Sequence, residues 1–196
     1  MANDTKWSID QAHSEIYFKA RHLMISNVKG SFRTFDANIH TTDKDFTTAA
    51  IDLWIDASTI NTGDPNRDEH LTSKDFLDVR NHKQITFRSN TIGEADADGN
   101  HELWGELTIK SITRKVKFNV KFGGILNDPY ANEKAGFKIT GKFNRTDWGL
   151  VWNMLIEAGG IMVGEEVKIS CEFELINTTN KPSTLHLEPT DYEVTL

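Results

Sequence analysis

KVKFNVKF, residues 115–122, is the stretch that decides the fold. Val116, Phe118, Val120 and Phe122 fall on every second position, and Lys115, Lys117, Asn119 and Lys121 fill the others. A period of two sends alternate side chains to opposite faces of a strand, so this segment has one dry and one wet face. The pattern repeats in both directions. Downstream, GFKITGKF (136–143) and EVKISCEFEL (166–175) alternate apolar residues with Lys, Glu, Thr and Ser. Upstream, SEIYFKARH (14–22), AAIDLWIDA (49–57) and HELWGELTI (101–109) do the same. TKWSID (5–10), the segment from Val28 to His40, and QITFRSNTI (84–92) complete about eight or nine strands. Turn-rich runs at 95–100, 123–133 and 144–147 separate them.

Strands with one wet face need a shared apolar interior, which a sandwich or a closed barrel supplies. Closure also removes exposed edges. Gly105 and Gly141, isolated inside strand patterns, suit the tight bends of a barrel wall. The expectation is therefore an all-β, extended antiparallel eight-stranded barrel with one or two short helices; a sandwich is the alternative. The barrel domain spans 1–176, and 177–196, with Pro182 and Pro189, is a C-terminal tail.

Two stretches break the alternation. NRDEHLTSKDFLDV (66–79) crowds Arg67, Asp68, Glu69, His70 and Thr72 into its first half. Its second half has a helical cast, with Ser73 as N-cap and Phe76, Leu77 and Val79 on an apolar side. A polar insert of this kind between strands makes a lid or a mouth. LVWNMLIEAGGIMVG (150–164) is apolar almost throughout and reads as a second short helix or a buried crossover loop.

Composition excludes several classes. A net charge of −7 over 196 residues argues against nucleic-acid binding. The single cysteine, Cys171, allows no internal disulfide and no thiolate metal cluster, and its place on an apolar face makes it a core residue. No apolar run approaches the ~20 residues of a membrane helix. MANDTKW carries neither a basic nor an apolar signal region, so the chain as written is cytoplasmic, or periplasmic if a signal peptide was removed ahead of it. No phosphate-binding glycine loop, nucleophile elbow or paired-histidine metal motif occurs, so no metal and no cofactor is expected. Seven scattered histidines include His13 and His70, which sit beside acids and hydroxyls. Each has a simpler account as a backbone-bonding loop residue. Arg67 with Asp68 reads either as a clamp for an anionic head group or as an ionic knot pinning the insert to the rim. Residues 110–145 hold nine Lys or Arg against two acids, a window of +7. It reads as a basic stripe for an anionic membrane, or as an ordinary solvated strand face.

The order of motifs resembles the YceI-like family of polyisoprenoid-binding proteins. WSIDQAHSEIYFKARHLMISNVKGSF opens it, IDASTINTGDPNRDEHLTSKDFLDV follows, then ITFRS, GELTIKSITRKVKFNV, FNRTDWG and VGEEVKIS. Ser111 and Lys83 stand where the family usually has Gly and Pro, both at turns. The resemblance implies a lipocalin-like barrel around a long apolar tunnel, noncatalytic binding, transport or storage of an isoprenoid lipid (polyprenyl diphosphate or quinone-type), and a homodimer. The inward positions expected to line such a tunnel are Phe18, Phe32, Leu53, Phe76, Phe87, Leu103, Leu107, Phe118, Val120, Phe137, Ile139, Ile169 and Phe173. A head group would meet His13, Arg67, Asp68 or His70 at the mouth. The alternative is a hydrolase or isomerase using His70 with Asp68 or Glu69.

Overall fold

In the computed structural model, which describes residues 2–155 and 161–179, each alternating segment is a strand. Eleven strand segments form: β1 (Asp4–Ile9), β2 (Glu15–His22), β3 (Ser26–Phe32), β4 (Phe35–Thr42), β5 (Asp45–Asp56), β6 (Ile60–Asn61), β7 (Gln84–Ile92), β8 (Asn100–Ile109), β9 (Ile112–Asn127), β10 (Glu133–Asn144) and β11 (Val163–Asn177). Among the described residues one α-helix forms, α1 (Pro65–Thr72), between β6 and β7.

The eleven segments behave as eight long strands. β1 and β2 both pair with β11, as Trp7↔Asn177 and Lys19↔Lys168, so they are one strand with a joint. The joint is a 3-10 turn at Gln11–His13, where the Asp10 carboxylate accepts from Ala12 N–H at 3.1 Å. β5 and β6 are joined in the same way at Ala57–Thr59, where Asp56 accepts from Ser58 N–H at 2.9 Å. The neighbouring β3–β4 strand bends at Arg33 and Thr34, whose N–H groups both donate to Thr59 Oγ1. Asp at such a joint gives the backbone a local acceptor in place of a ladder partner. The closed ring runs β1–β4–β5–β7–β8–β9–β10–β11 and returns to β1, all antiparallel. β2, β3 and β6 extend the wall beyond the ring at one end. The expected eight-stranded barrel is what forms.

The interior is filled by the predicted dry faces. Trp7, Phe35, Leu103, Ala135 and Trp148 are almost fully buried. The glycines inside strands also make room for neighbouring side chains, and the β7–β8 ladder is irregular beside Gly105. A Cβ on Gly105 would stand 2.4 Å from Phe87 Cζ and 2.5 Å from Arg88 O. One on Gly141 would stand 2.4 Å from Phe118 Cδ1, and one on Gly30 2.3 Å from Phe18 Cζ. These glycines are floors on which a phenyl ring from the next strand lies.

The helix differs from expectation. It occupies the first half of the polar insert, with Asp64 as N-cap and Pro65 in the first turn, while Ser73 is its C-cap. Pro fits the first turn because its missing N–H has no partner there anyway. Phe76 and Leu77 are buried as expected, but from turns after the helix. Residues 150–155 contain no second helix. They form a loop after a 3-10 turn at Arg145–Trp148, with an isolated bridge Leu155↔Ile161. The tail beyond residue 179 lies outside the described residues; β11 runs through Asn177.

Candidate functional site

The barrel encloses a cavity of about 430 Å³. All thirteen expected tunnel positions line it: Phe18, Phe32, Leu53, Phe76, Phe87, Leu103, Leu107, Phe118, Val120, Phe137, Ile139, Ile169 and Phe173. Its lining is otherwise aliphatic and aromatic except for Tyr17, Lys44, Asp45, Thr47, His101 and Arg145, with Cys171 as a small apolar wall residue. Burial pushes the Cys171 thiol up to about 12, so it stays a protonated thiol and packs as a small hydrophobe.

Arg145 lies at one end of the cavity. Only 3% exposed, it has no salt bridge among the described residues. Instead it donates to the carbonyls of Gly164 (2.9 Å), Trp152 (3.0 Å), Val163 (3.1 Å) and Leu150. Burial lowers its pKa, and Glu165 opposes that effect electrostatically. Beside it Trp148 donates to Leu107 O at 3.0 Å. The FNRTDWG run therefore places at this end a buried cation that serves backbone carbonyls. Sequence reading counted Arg145 only as part of the basic window; the adjoining Trp148 and Gly149 were the available hint.

The other end is open. Lys44, Asp45, Thr47 and Phe122 are exposed and yet line the cavity. Here β5 leaves its neighbours: β7 pairs only with Asp52–Asp56, and on the β4 side the ladder jumps from Ala50 to Asp45, so that residues 46–49 bulge out of both ladders. Ser89 spans the parting, accepting from Ile51 N–H at 2.8 Å and donating to Ala49 O at 3.3 Å. The result is a slot in the wall between the start of β5 and the Ile92–His101 side. Phe46 stands at its edge, packed on Trp7, Phe122 and Phe137 with ring centroids 4.7–5.6 Å apart.

None of His13, Arg67, Asp68 and His70 lines the cavity. α1 follows the far end of β5, about 35 Å from the slot at ~3.3 Å rise per residue. There Asp68 accepts from Thr62 N–H (2.9 Å) and Thr62 Oγ1 (2.5 Å). Arg67 donates to Thr62 Oγ1 (2.7 Å) and Thr62 O (3.1 Å). The pair is a knot tying helix to wall. His70 bonds Asp75 at 2.9 Å and packs edge-on against Phe76 and Trp152. It is not brought to Asp68 or Glu69, so the acid–base pairing of the enzymatic alternative does not form.

His13 sits at the β1–β2 joint with Asp10 (3.1 Å) and Glu174 (3.7 Å), and these three could in principle ligate a metal. The Lys134 ammonium already occupies that cluster, 2.8 Å from Asp10 and 2.6 Å from Glu174. Burial works against the Asp10 charge, but hydrogen bonds from Lys134, His13 and Ala12 N–H outweigh it and bring the pKa down to about 2. The same contacts raise Lys134. In the basic window Lys117, Lys134, Lys138 and Lys142 are bridged to Glu102, Asp10 with Glu174, Glu172 and Glu166. With Arg145 buried, four of its nine cations (Lys110, Arg114, Lys115 and Lys121) have no salt bridge among the described residues.

The chain resembles known proteins over nearly its whole length. A UPF0312 protein of Staphylococcus epidermidis is 37% identical over 176 residues, 88% of this chain and 99% of that protein. Burkholderia cenocepacia BcnA has the same fold, with TM-score 0.72 at 20% identity over 85% of this chain and 98% of that one. A polyisoprenoid binding domain from Saccharophagus degradans, implicated in plant cell wall breakdown, superposes with TM-score 0.62 at 14% identity over 87% and 98% of the two chains. The model of the YceI-like domain matches residues 7–175, which takes in the closed ring except the start of β1 and the end of β11, and the chain belongs to the YceI-like family.

Proposed function

We propose that this barrel binds a single linear isoprenoid lipid in its lumen and holds it without chemical change, as a carrier or store. The observation that carries the reading is the apolar cavity. Its volume, about 430 Å³, lies in the range of small-ligand sites, and apart from Tyr17 its polar groups are confined to the two ends. A hydrocarbon chain gains about 0.8 kcal/mol for each CH₂ removed from water, an upper figure of about 4 kcal/mol per five-carbon unit. Chain length is then selected by how much of the tail the lumen covers. The kinship in fold with a polyisoprenoid binding domain supports the choice of ligand class.

The test is retention. Protein isolated from its native host, extracted with organic solvent and examined by mass spectrometry should release a prenyl lipid. Ile139→Trp, which puts an indole into the lumen, should reduce retention at least tenfold while the protein stays folded. Absence of any copurifying isoprenoid, together with no uptake of added geranylgeraniol, overturns the reading.

A further inference from the structure

We infer that the lipid's polar head is seated in the slot formed by Lys44, Asp45, Thr47 and His101, and that it is an uncharged, hydroxyl-bearing head rather than a diphosphate. This rests on the reading that the lumen holds a prenyl chain. Three observations carry it.

First, apart from Tyr17 on the outer face of β2, the slot is where polar and exposed side chains meet the cavity; at the opposite end the polar group is Arg145, buried and with its donors spent on carbonyls. A tail buried in the lumen therefore leaves its head at the slot.

Second, the hydrogen-bonding groups there are mainly acceptors. His101 Nδ1 lies 2.8 Å from Gly93 O. A carbonyl can only accept, so Nδ1 carries the proton, and in the uncharged ring Nε2 is left as an acceptor. Asp45 takes the Thr47 N–H and hydroxyl on one oxygen, at 2.9 and 2.7 Å, and keeps its second oxygen. Hydrogen bonds from Thr47 hold its carboxyl below the ordinary value, so it is ionised at neutral pH. Acceptors of this kind take an O–H from the ligand.

Third, the local charge opposes an anion. The cation of the slot, Lys44, is already bound to Glu133 Oε1 at 2.5 Å, and Glu133 is held in turn by Asn177 at 2.7 Å. A diphosphate would add negative charge beside two carboxylates with one engaged ammonium between them. An alcohol or hydroquinone brings no charge and supplies the donor that both acceptors lack.

The experiment compares matched tails on the full chain by equilibrium binding. The ligands are geranylgeraniol, a prenyl hydroquinone of equal tail, geranylgeranyl diphosphate and a head-free hydrocarbon of the same length. The alcohol or the hydroquinone should bind at least tenfold more tightly than the diphosphate, and the better of the two identifies the natural source of the hydroxyl. His101→Phe keeps the ring volume and removes the acceptor. It should weaken the hydroxylated ligand about five- to tenfold, the value of one net hydrogen bond, and leave the hydrocarbon unchanged. Asp45→Asn keeps the turn-capping oxygen, removes the charge and should narrow the gap between alcohol and diphosphate several-fold. Diphosphate binding as tight as the alcohol overturns the head-group assignment alone, as does indifference of every ligand to both substitutions. Failure of all four ligands, hydrocarbon included, overturns the lumen reading as well.

Discussion

Arg145 offers the sharpest test of how one end of this barrel is held. Arg145→Met keeps an unbranched apolar stem and removes every donor. Replacing a whole buried ion pair by apolar groups is often neutral, because the desolvation of both charges is relieved at once. That relief is incomplete here, since the partners are backbone carbonyls that remain in place. Those of Gly164 and Leu150 belong to buried residues, and each acceptor left unmet costs about 1–3 kcal/mol. Relief of the guanidinium's own desolvation offsets part of this, so the expected loss is about 3 kcal/mol. Arg145→Lys retains the charge but not the planar fork, and one ammonium cannot reach carbonyls spread over residues 150–164; about 2 kcal/mol is expected. The assay is urea unfolding followed by tryptophan emission, with Trp148 and Trp152 flanking the site. A Met variant as stable as the parent, or more stable, refutes the reasoning and makes the guanidinium a burden that the fold merely tolerates.

The remaining expectations concern the wall. Gly141→Ala should cost about 1–2 kcal/mol and be partly rescued by Phe118→Leu, since its new methyl meets chiefly a ring; Gly105→Ala meets the Arg88 carbonyl as well and should cost about 3 kcal/mol with no rescue from Phe87→Leu, all read as double-mutant cycles of chemical unfolding. Ser111→Gly should stabilise by about 0.5–1 kcal/mol, because Lys110 and Ser111 both have positive φ in the two-residue β8–β9 turn; an unchanged urea midpoint would show that the Ser111–His82 hydrogen bond (3.2 Å) offsets the strain. Asp10 is lowered from 3.8 to about 2, so the stability it supplies is fully present above its unfolded pKa and is lost as pH falls from about 4 to about 2. Asp10→Asn should flatten that acid limb, and equal acid midpoints for the two proteins would contradict the linkage.

Much of the wall was legible because a half-buried strand writes its register into alternating residues. Phe118, Val120, Ile139 and Phe173 could be assigned to the lumen from parity alone. The helix was misplaced within its own insert for a local reason. Asp64 and Ser73 are both good caps, and only the position of Pro65, in the first turn of whatever helix forms, separates N-cap from C-cap. The strand glycines were recognised, but the rings that lie against them were not. A close approach by a ring from the next strand depends on cross-strand register, which a single strand does not encode.

The slot was not legible at all, and the reason is general. A mouth in a β-barrel is an absence of pairing, and absence leaves no periodicity. Residues 45–50 carry the composition of any strand edge, and nothing in DFTTAA announces that one side of this ladder is vacant. At the vacancy a serine on the adjacent strand meets one donor and one acceptor of β5 with its hydroxyl. The polar insert at 64–79 drew attention because it gathers charge, yet its charges are consumed internally around Thr62. The groups at the slot are ordinary in sequence, one lysine, one aspartate, one threonine and one histidine drawn from two segments some 55 residues apart, and they acquire a role only because the wall parts between them. In a closed barrel the informative question about a polar residue is therefore whether its donors and acceptors are already spent, and at Asp45 and His101 they are not.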